Sequence, residues 1–284
     1  MMNTPVALIT GAANGLGWAL SQQFWQVGYS LCLVDLDQQG LEARKASLLE
    51  MGSNTQKIEL CTVNLLESGA IECIKDTLSR RFTSLDVLVN NAGITHRSLA
   101  RETSIDVIEK VMDLDFLVPV KLTQQLFEQL ANSGTRKKPA TIINIGSMAG
   151  WMPVMARSGY CAAKSAQHQY FETLRAETTH LPVNILMVYP SFLATDIEKN
   201  ALAGNGQKAT HARSTIGNIQ SAEWMAKQII QACHSGKSRL FPSKAILLAS
   251  LFYRWFPALY TRMMRRKFKS ELSVQLEVQE LANH

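Results

Sequence analysis

The sequence predicts an α/β protein built on one doubly wound parallel sheet, with helices on both faces and a helical C-terminal extension. Three observations carry this. Six short apolar runs recur within the first 190 residues, each nearly continuous in hydrophobic character, as strands covered on both faces must be. Longer helical stretches separate them, the rhythm of strand-helix-strand units that wind right-handedly into a parallel sheet. The first run passes directly into a glycine cluster and then into an amphipathic stretch.

In order, the expected strands are 5–10, 30–35, 57–63, 85–90, 141–145 and 183–189. Crossover helices are expected at 16–27, 67–82 and 104–130, each long enough to return the chain to the far edge of the sheet. Segment 132–139 is small, polar and basic, and reads as a loop. Segment 203–217 holds three glycines and few apolar anchors just beyond a strand's carboxyl end, which suits a substrate lid or an ordinary surface loop. Nothing interrupts the rhythm before residue 242. Residues 1–242 are therefore expected to form one domain, and 243–284 a basic helical extension, not an independent domain.

Hydrophobic content of 46% and charged content of 18% suit an ordinary globular chain. Residues 1–236 carry 20 Lys/Arg and 20 Asp/Glu, while 237–284 carry nine and three, so the net charge of +6 belongs to the tail. A neutral body without a recognised binding motif argues against nucleic acid as a partner. The five cysteines are odd in number and scattered, without a Cys-x-x-Cys pair, and read as buried free thiols. His96, His168, His180 and His211 are dispersed away from carboxylates and thiols, so they read as surface or satisfied histidines and no metal is expected. The opening residues lack a secretory pattern, which gives an expectation of a cytoplasmic location.

The glycine segment is Gly11-Ala12-Ala13-Asn14-Gly15-Leu16-Gly17. Glycines permit positive φ and let backbone N–H groups approach a pyrophosphate at the start of a helix. Such a cluster is also what a plain tight turn contains. Asp35 ends the second strand about twenty residues on, where a carboxylate can accept bonds from the adenosine ribose hydroxyls and repel a 2′-phosphate. The flanking positions Asn14 and Leu36 are uncharged, so NAD(H) is favoured over NADP(H). The competing reading is that Asp35 and Asp37 only cap the next helix. Asn90-Asn91-Ala92-Gly93 closes the fourth strand with small residues and amides suited to a backbone passing under a dinucleotide, or to a simple turn.

The fifth strand ends in Ile145-Gly146-Ser147, and thirteen residues on comes Tyr160-Cys161-Ala162-Ala163-Lys164. Helical spacing places Lys164 beside Tyr160. A phenol titrating near ~10 is a poor acid-base group at neutral pH, and an adjacent ammonium favours its phenolate. Ser147 can donate to the reacting oxygen. Alone, Tyr-x-x-x-Lys is a common chance pair. With Ser147, the Asn-Asn-Ala-Gly tetrapeptide and the glycine loop in order, it is specific.

Over about residues 4–242 this ordered set resembles the short-chain dehydrogenase/reductase (SDR) family. The resemblance implies a Rossmann-type sheet in the order 3-2-1-4-5-6-7 and a Ser147, Tyr160, Lys164 catalytic set, with Lys164 also holding the nicotinamide ribose. It further implies that Tyr189-Pro190-Ser191 and Thr195 border the nicotinamide, with Pro190 and Thr195 in contact. Three positions depart from the family pattern. Asp115 stands where the family has an asparagine whose main-chain carbonyl holds a water in a proton relay. A backbone role survives that exchange, and the carboxylate can pair with Lys164 or tune its charge. Asn64 replaces an aspartate near the adenine and still offers an acceptor. Ser191 replaces a glycine. The family also implies a homodimer or homotetramer through the helices around 104–130 and 154–179, where the basic tail can block one interface.

Trp151, Met152 and Met155, between Ser147 and Tyr160, form either an apolar wall for a bulky substrate or core filling. In 245–269, Arg254, Arg262, Arg265, Arg266 and Lys269 share one helical face at ~100° per residue. Arg254 and Pro257 rule out a spanning helix. The segment then lies on anionic lipid as a peripheral contact, or covers the substrate pocket or a partner subunit.

The function expected is an oxidoreductase that interconverts a small-molecule secondary alcohol and a ketone or comparable carbonyl with NAD(H). Within the enzyme class the alternative is an NADPH-dependent carbonyl or ketoacyl reductase. Outside it stands a non-catalytic dinucleotide-binding sensor or scaffold. The substrate-shaping loop, roughly 193–219, carries no signature that names a molecule.

Overall fold

The computed structural model describes residues 4–52, 55–190, 193, 200–209 and 220–267. Its strands are β1 (Val6–Thr10), β2 (Ser30–Asp35), β3 (Ile58–Thr62), β4 (Val87–Asn90), β5 (Ala140–Ile145), β6 (Val183–Val188) and β7 (Arg239–Leu240). All pair in parallel, in the order β3-β2-β1-β4-β5-β6-β7. Register follows the apolar pattern, with Leu8 opposite Cys32 on one side and Leu88 on the other.

Alternate side chains of each strand feed two separate cores. Ala7, Ile9, Leu31, Leu33, Val87, Val89, Ile143 and Leu186 face α1 (Gly15–Gln26), α2 (Gln38–Glu50) and α7 (Ala222–His234). Val6, Leu8, Cys32, Val34, Leu88, Ile142 and Ile185 face α3 (Ala70–Arg81), α5 (Val118–Ser133) and α6 (Ser158–Glu177). Because both faces are covered, the strands read as unbroken apolar runs. Burial of each Leu, Ile or Val contributes roughly 1.5–3 kcal/mol.

The predicted helix 104–130 is two helices, α4 (Ile105–Met112) and α5, joined by a π turn over Asp113–Leu117. Pro119 gives the reason. It has no N–H to bond the carbonyl of Asp115 four residues earlier, so the winding must widen there. The tail likewise divides into α8 (Lys244–Trp255) and α9 (Pro257–Lys267), split at the residue before Pro257. β7, only two residues long, carries too little signal to be found in the sequence, whereas α7, capped by Ser221 and amphipathic, is a helix that the sequence reading missed. Of the expected 203–217 loop, 203–209 are described and Leu202 bridges both His96 and Lys208; the rest lies outside the described residues.

Sheet order reverses between β1 and β4, and that switch point opens a crevice beyond the strands' carboxyl ends. The segments following β1, β2, β4 and β5 all converge there.

Candidate active site

The crevice is built first from the glycine segment. Gly11 and Gly15 adopt φ of 67° and 55°, a region that L side chains rarely enter. A Cβ on Gly17 would lie 2.0 Å from the carbonyl oxygen of Gly11, so the helix can approach the loop only with glycine there. Asn14 is the N-cap of α1 yet makes no side-chain cap bond, which leaves the first-turn N–H groups of α1 available to a ligand. An uncapped helix start behind a positive-φ glycine turn fits a dinucleotide pyrophosphate. Ala13 and Leu16 are buried beneath it.

Asn91 ties this loop to β4. Its Nδ2 donates to the carbonyls of Thr10 (2.9 Å) and Gly11 (3.2 Å), and Thr10 Oγ1 accepts from the N–H groups of Asn91 and Ala92 at 3.0 Å each. These are structural bonds. They make the tetrapeptide more than a simple turn, because its amide fixes the glycine segment from the neighbouring strand.

Of Asp35 and Asp37, only Asp37 takes the capping role. Asp37 Oδ1 accepts from Gly40 N–H at 2.9 Å and caps α2. Asp35 instead holds the loop, with Oδ2 accepting from Ala13 N–H at 2.9 Å and Oδ1 from Asp37 N–H at 3.1 Å. Sequence alone offered no base beside this carboxylate. The fold brings one to the loop that Asp35 holds: Arg44 of α2 donates through Nε to the Ala13 carbonyl at 2.8 Å and lies 4.9 Å over the Trp18 ring. Thirty-one residues separate Arg44 from Ala13, so only packing reveals it.

Asn64 is not drawn into this site by any described bond. Its Oδ1 accepts from Leu66 N–H and its Nδ2 donates to Glu67, both at 3.2 Å, within the turn that leads to α3. Pro190 follows β6 at the crevice edge and is half-buried. Ser191 and Thr195 lie outside the described residues.

At the other end Ser147 caps the short 3-10 turn Met148–Gly150, its Oγ accepting from Ala149 N–H at 3.1 Å. Acceptance there leaves its own O–H proton to donate elsewhere. Tyr160 and Lys164 share one face of α6, with the ammonium 5.8 Å from the phenol ring centroid. Lys164 is buried and donates to the Ile145 carbonyl at 3.0 Å.

Asp115 completes the set from the π turn. Its side chain is 0% exposed, with Oδ2 3.2 Å from Lys164 Nζ and Oδ1 accepting from Ile94 N–H at 2.8 Å. The contact with Lys164 is an ion pair without hydrogen-bond alignment. Burial pushes the Asp115 carboxyl above its ordinary value, while Lys164 and the Ile94 N–H pull it back. Gly93 lies close by, since a Cβ there would meet Asp115 Oδ1 at 3.1 Å.

The sequence reading missed His96 as a part of this site. Fully buried, it accepts through Nε2 from Gly159 N–H at 2.9 Å and pairs through Nδ1 with Ser98 Oγ at 3.1 Å. Ser98 Oγ in turn meets Thr103 Oγ1 at 2.7 Å. Arg157, the N-cap of α6, makes no side-chain cap bond, so His96 does that work from another loop, one residue before Tyr160. Burial, then the nearby Arg157 charge, lowers His96 to about 4 and keeps it neutral. It is a satisfied histidine, as expected, but one that anchors the tyrosine helix.

Of the two readings open for Trp151 the packing selects one, and the expectation of buried cysteines is corrected. Trp151 packs in an aromatic cluster with His168, Tyr189 and Phe241, ring centroids 4.7, 5.3 and 5.6 Å away, so it fills core beneath the site. Of the cysteines, Cys32, Cys61 and Cys233 are buried, but Cys73 is exposed, with its Sγ 3.8 Å from that of Cys61, and Cys161 is half-buried. No metal-binding cluster occurs among the described residues.

The family model for short chain dehydrogenases matches residues 5–206. In Bos taurus, dehydrogenase/reductase SDR family member 7B is 30% identical over 274 residues, covering 94% of this chain and 82% of its own. Human dehydrogenase/reductase SDR family member 7 is 29% identical over 261 residues, covering 89% and 74%. Among solved structures, a short chain dehydrogenase/reductase from Burkholderia phymatum in complex with NAD superposes with a TM-score of 0.78. It is 20% identical and covers 90% of this chain and 95% of that one. A short-chain dehydrogenase from Sphingobium yanoikuyae in complex with NADPH gives 0.73 at 22% identity, with coverage of 91% and 94%.

Proposed function

The chain belongs to the short-chain dehydrogenase family, and from that premise we propose that it interconverts a secondary alcohol and a ketone or comparable carbonyl using NAD(H). One observation carries the reading. Lys164 is held between the Ile145 carbonyl and Asp115 with its ammonium beside the Tyr160 ring, on the helix face turned to the crevice. An ammonium fixed beside a phenol favours the phenolate, so Tyr160 is the group that exchanges a proton with the substrate oxygen. Ser147, its acceptor site taken by Ala149, donates its O–H to that same oxygen and steadies the charge that develops there.

When bound, the nicotinamide supplies or accepts the hydride. The first turn of α1 and Gly11 to Gly17 hold the pyrophosphate, and Lys164 has a further N–H for the nicotinamide ribose. Asp115 serves through its main-chain carbonyl, which Pro119 cannot bond, and through its carboxylate on Lys164. By the family resemblance Pro190 borders the nicotinamide, and Thr195, expected beside it, lies outside the described residues.

NAD(H) is preferred because Asp35 sets a negative charge at the end of β2, while Arg44 is engaged with the Ala13 carbonyl and Trp18. Arg44 is also the residue that would receive a 2′-phosphate if the preference ran the other way. Reduced-nicotinamide absorbance with both cofactors, over panels of steroid, retinoid, acyl and small alcohols and ketones, tests both points. Turnover with NAD and a secondary alcohol is the expected result; a clear NADP preference overturns the Asp35 reading. We further propose a cytoplasmic homodimer or homotetramer formed through α4, α5 and α6, which light scattering on the purified chain would measure.

A further inference from the structure

The C-terminal helices present a surface that the proposed reaction does not use. In α8, Leu248, Leu251 and Trp255 are exposed at spacings of three and four residues, and in α9 Phe256, just before its start, Leu259 and Met263 repeat that pattern. Such spacing aligns each trio on one helical face. Trp255 is 77% exposed and Leu248 64%, far beyond what single scattered surface hydrophobics need. Other side chains anchor the helices: Ser250 of α8 is buried on the side away from its trio, and Tyr260 of α9 is buried beside the exposed row, its O–H reaching the Pro153 carbonyl at 3.4 Å and its ring meeting Tyr253 edge-on at 5.1 Å. The helices are thus held to the body while both trios stay bare.

Charge selects the occupant. Residues 241–267 contain no Asp or Glu, while Lys244, Arg254, Arg262, Arg265 and Arg266 are exposed. None of these five is ion-paired among the described residues. A second copy of the chain would set this cationic face against itself about a two-fold axis, with like charges opposed. A lipid surface bearing phosphatidylserine or a similar anionic headgroup satisfies both features, taking the apolar row among the acyl chains and the arginines among the headgroups. At 1.5 Å per residue, helices of 12 and 11 residues extend about 18 and 16 Å, too short for a hydrocarbon core of about 30 Å. Consistently, no helix among the described residues is long and apolar enough to cross a membrane.

We propose that α8 and α9 form a monotopic docking face for an anionic lipid surface, with Trp255 and Phe256 at the centre of the inserted row. This stands apart from the catalytic reading. Flotation of the full-length protein with phosphatidylcholine vesicles, with and without phosphatidylserine, tests it. Binding to the anionic vesicles at low salt, weakened by added salt, is expected. The double variant W255S/F256S should keep its circular dichroism and thermal midpoint and lose at least tenfold in vesicle partitioning. Absence of binding at low salt overturns the proposal, as does wild-type binding by the variant. A dimer that W255S/F256S dissolves, without vesicle binding by the wild type, assigns the face to a second copy instead.

Discussion

His96 Nε2 accepts the amide proton of Gly159 at 2.9 Å, from a loop sixty-three residues earlier in the chain. The bond caps the helix that carries Tyr160. Removing the imidazole leaves a buried N–H without a partner and a cavity beside Ser98. His96→Ala should therefore destabilise the fold by about 2–4 kcal/mol in urea titration. It should also lower kcat more than it raises KM, since Tyr160 sits on the loosened turn. A stability loss with unchanged kcat would confine His96 to the fold.

The same histidine gives a pH dependence. It is lowered to about 4 in the folded protein, from an ordinary value of 6.5, so the unfolded chain binds the extra proton between those limits. Its contribution to stability is full above pH 6.5 and is lost as pH falls toward 4, at up to roughly 1.4 kcal/mol per pH unit. Thermal midpoints of wild type and His96→Ala should converge over that window.

Asp115→Asn keeps the shape and the acceptor for Ile94 N–H but removes the anion facing Lys164. Leaving that buried ammonium unpaired should cost up to about 3 kcal/mol. An anion near the reacting proton opposes its departure, so its removal should shift the rising limb of the alcohol-oxidation pH profile to lower pH. Profiles of kcat/KM for both proteins measure this. An unmoved limb would mean that the carboxylate is uncoupled from the reaction.

Tyr160→Phe should bind NADH with unchanged affinity, read by fluorescence titration, yet lose nearly all turnover. Ser147→Ala removes one donor to the developing charge and should cost roughly 10²–10³ in kcat. Undiminished turnover in the Tyr160 variant would sink the acid-base assignment.

Gly17→Ala places its Cβ 2.0 Å from the Gly11 carbonyl oxygen, against backbone that cannot rotate away. The loop or α1 must move, at a cost of about 1–3 kcal/mol. Dinucleotide affinity should fall sharply while far-ultraviolet circular dichroism is retained, and calorimetric titration would report it.

Much of this was legible in the sequence, because some constraints are local. An apolar run covered on both faces announces its strand, glycines announce a turn that no other residue can make, and four-residue spacing puts Lys164 beside Tyr160 without knowledge of the fold. Asp115 could be named from the family resemblance, and its pairing with Lys164 foreseen as one of two uses. What remained hidden depends on where distant segments meet. Arg44 on the Ala13 carbonyl and His96 on Gly159 have no periodic or motif signature, and the helical spacing from Leu248 to Met263 does not tell whether that row is covered or bare, because each is decided by packing between elements. Sequence determines which chemistry the chain carries; the parallel sheet, by bringing loops that are far apart in the chain to one edge, decides which side chains hold it in place.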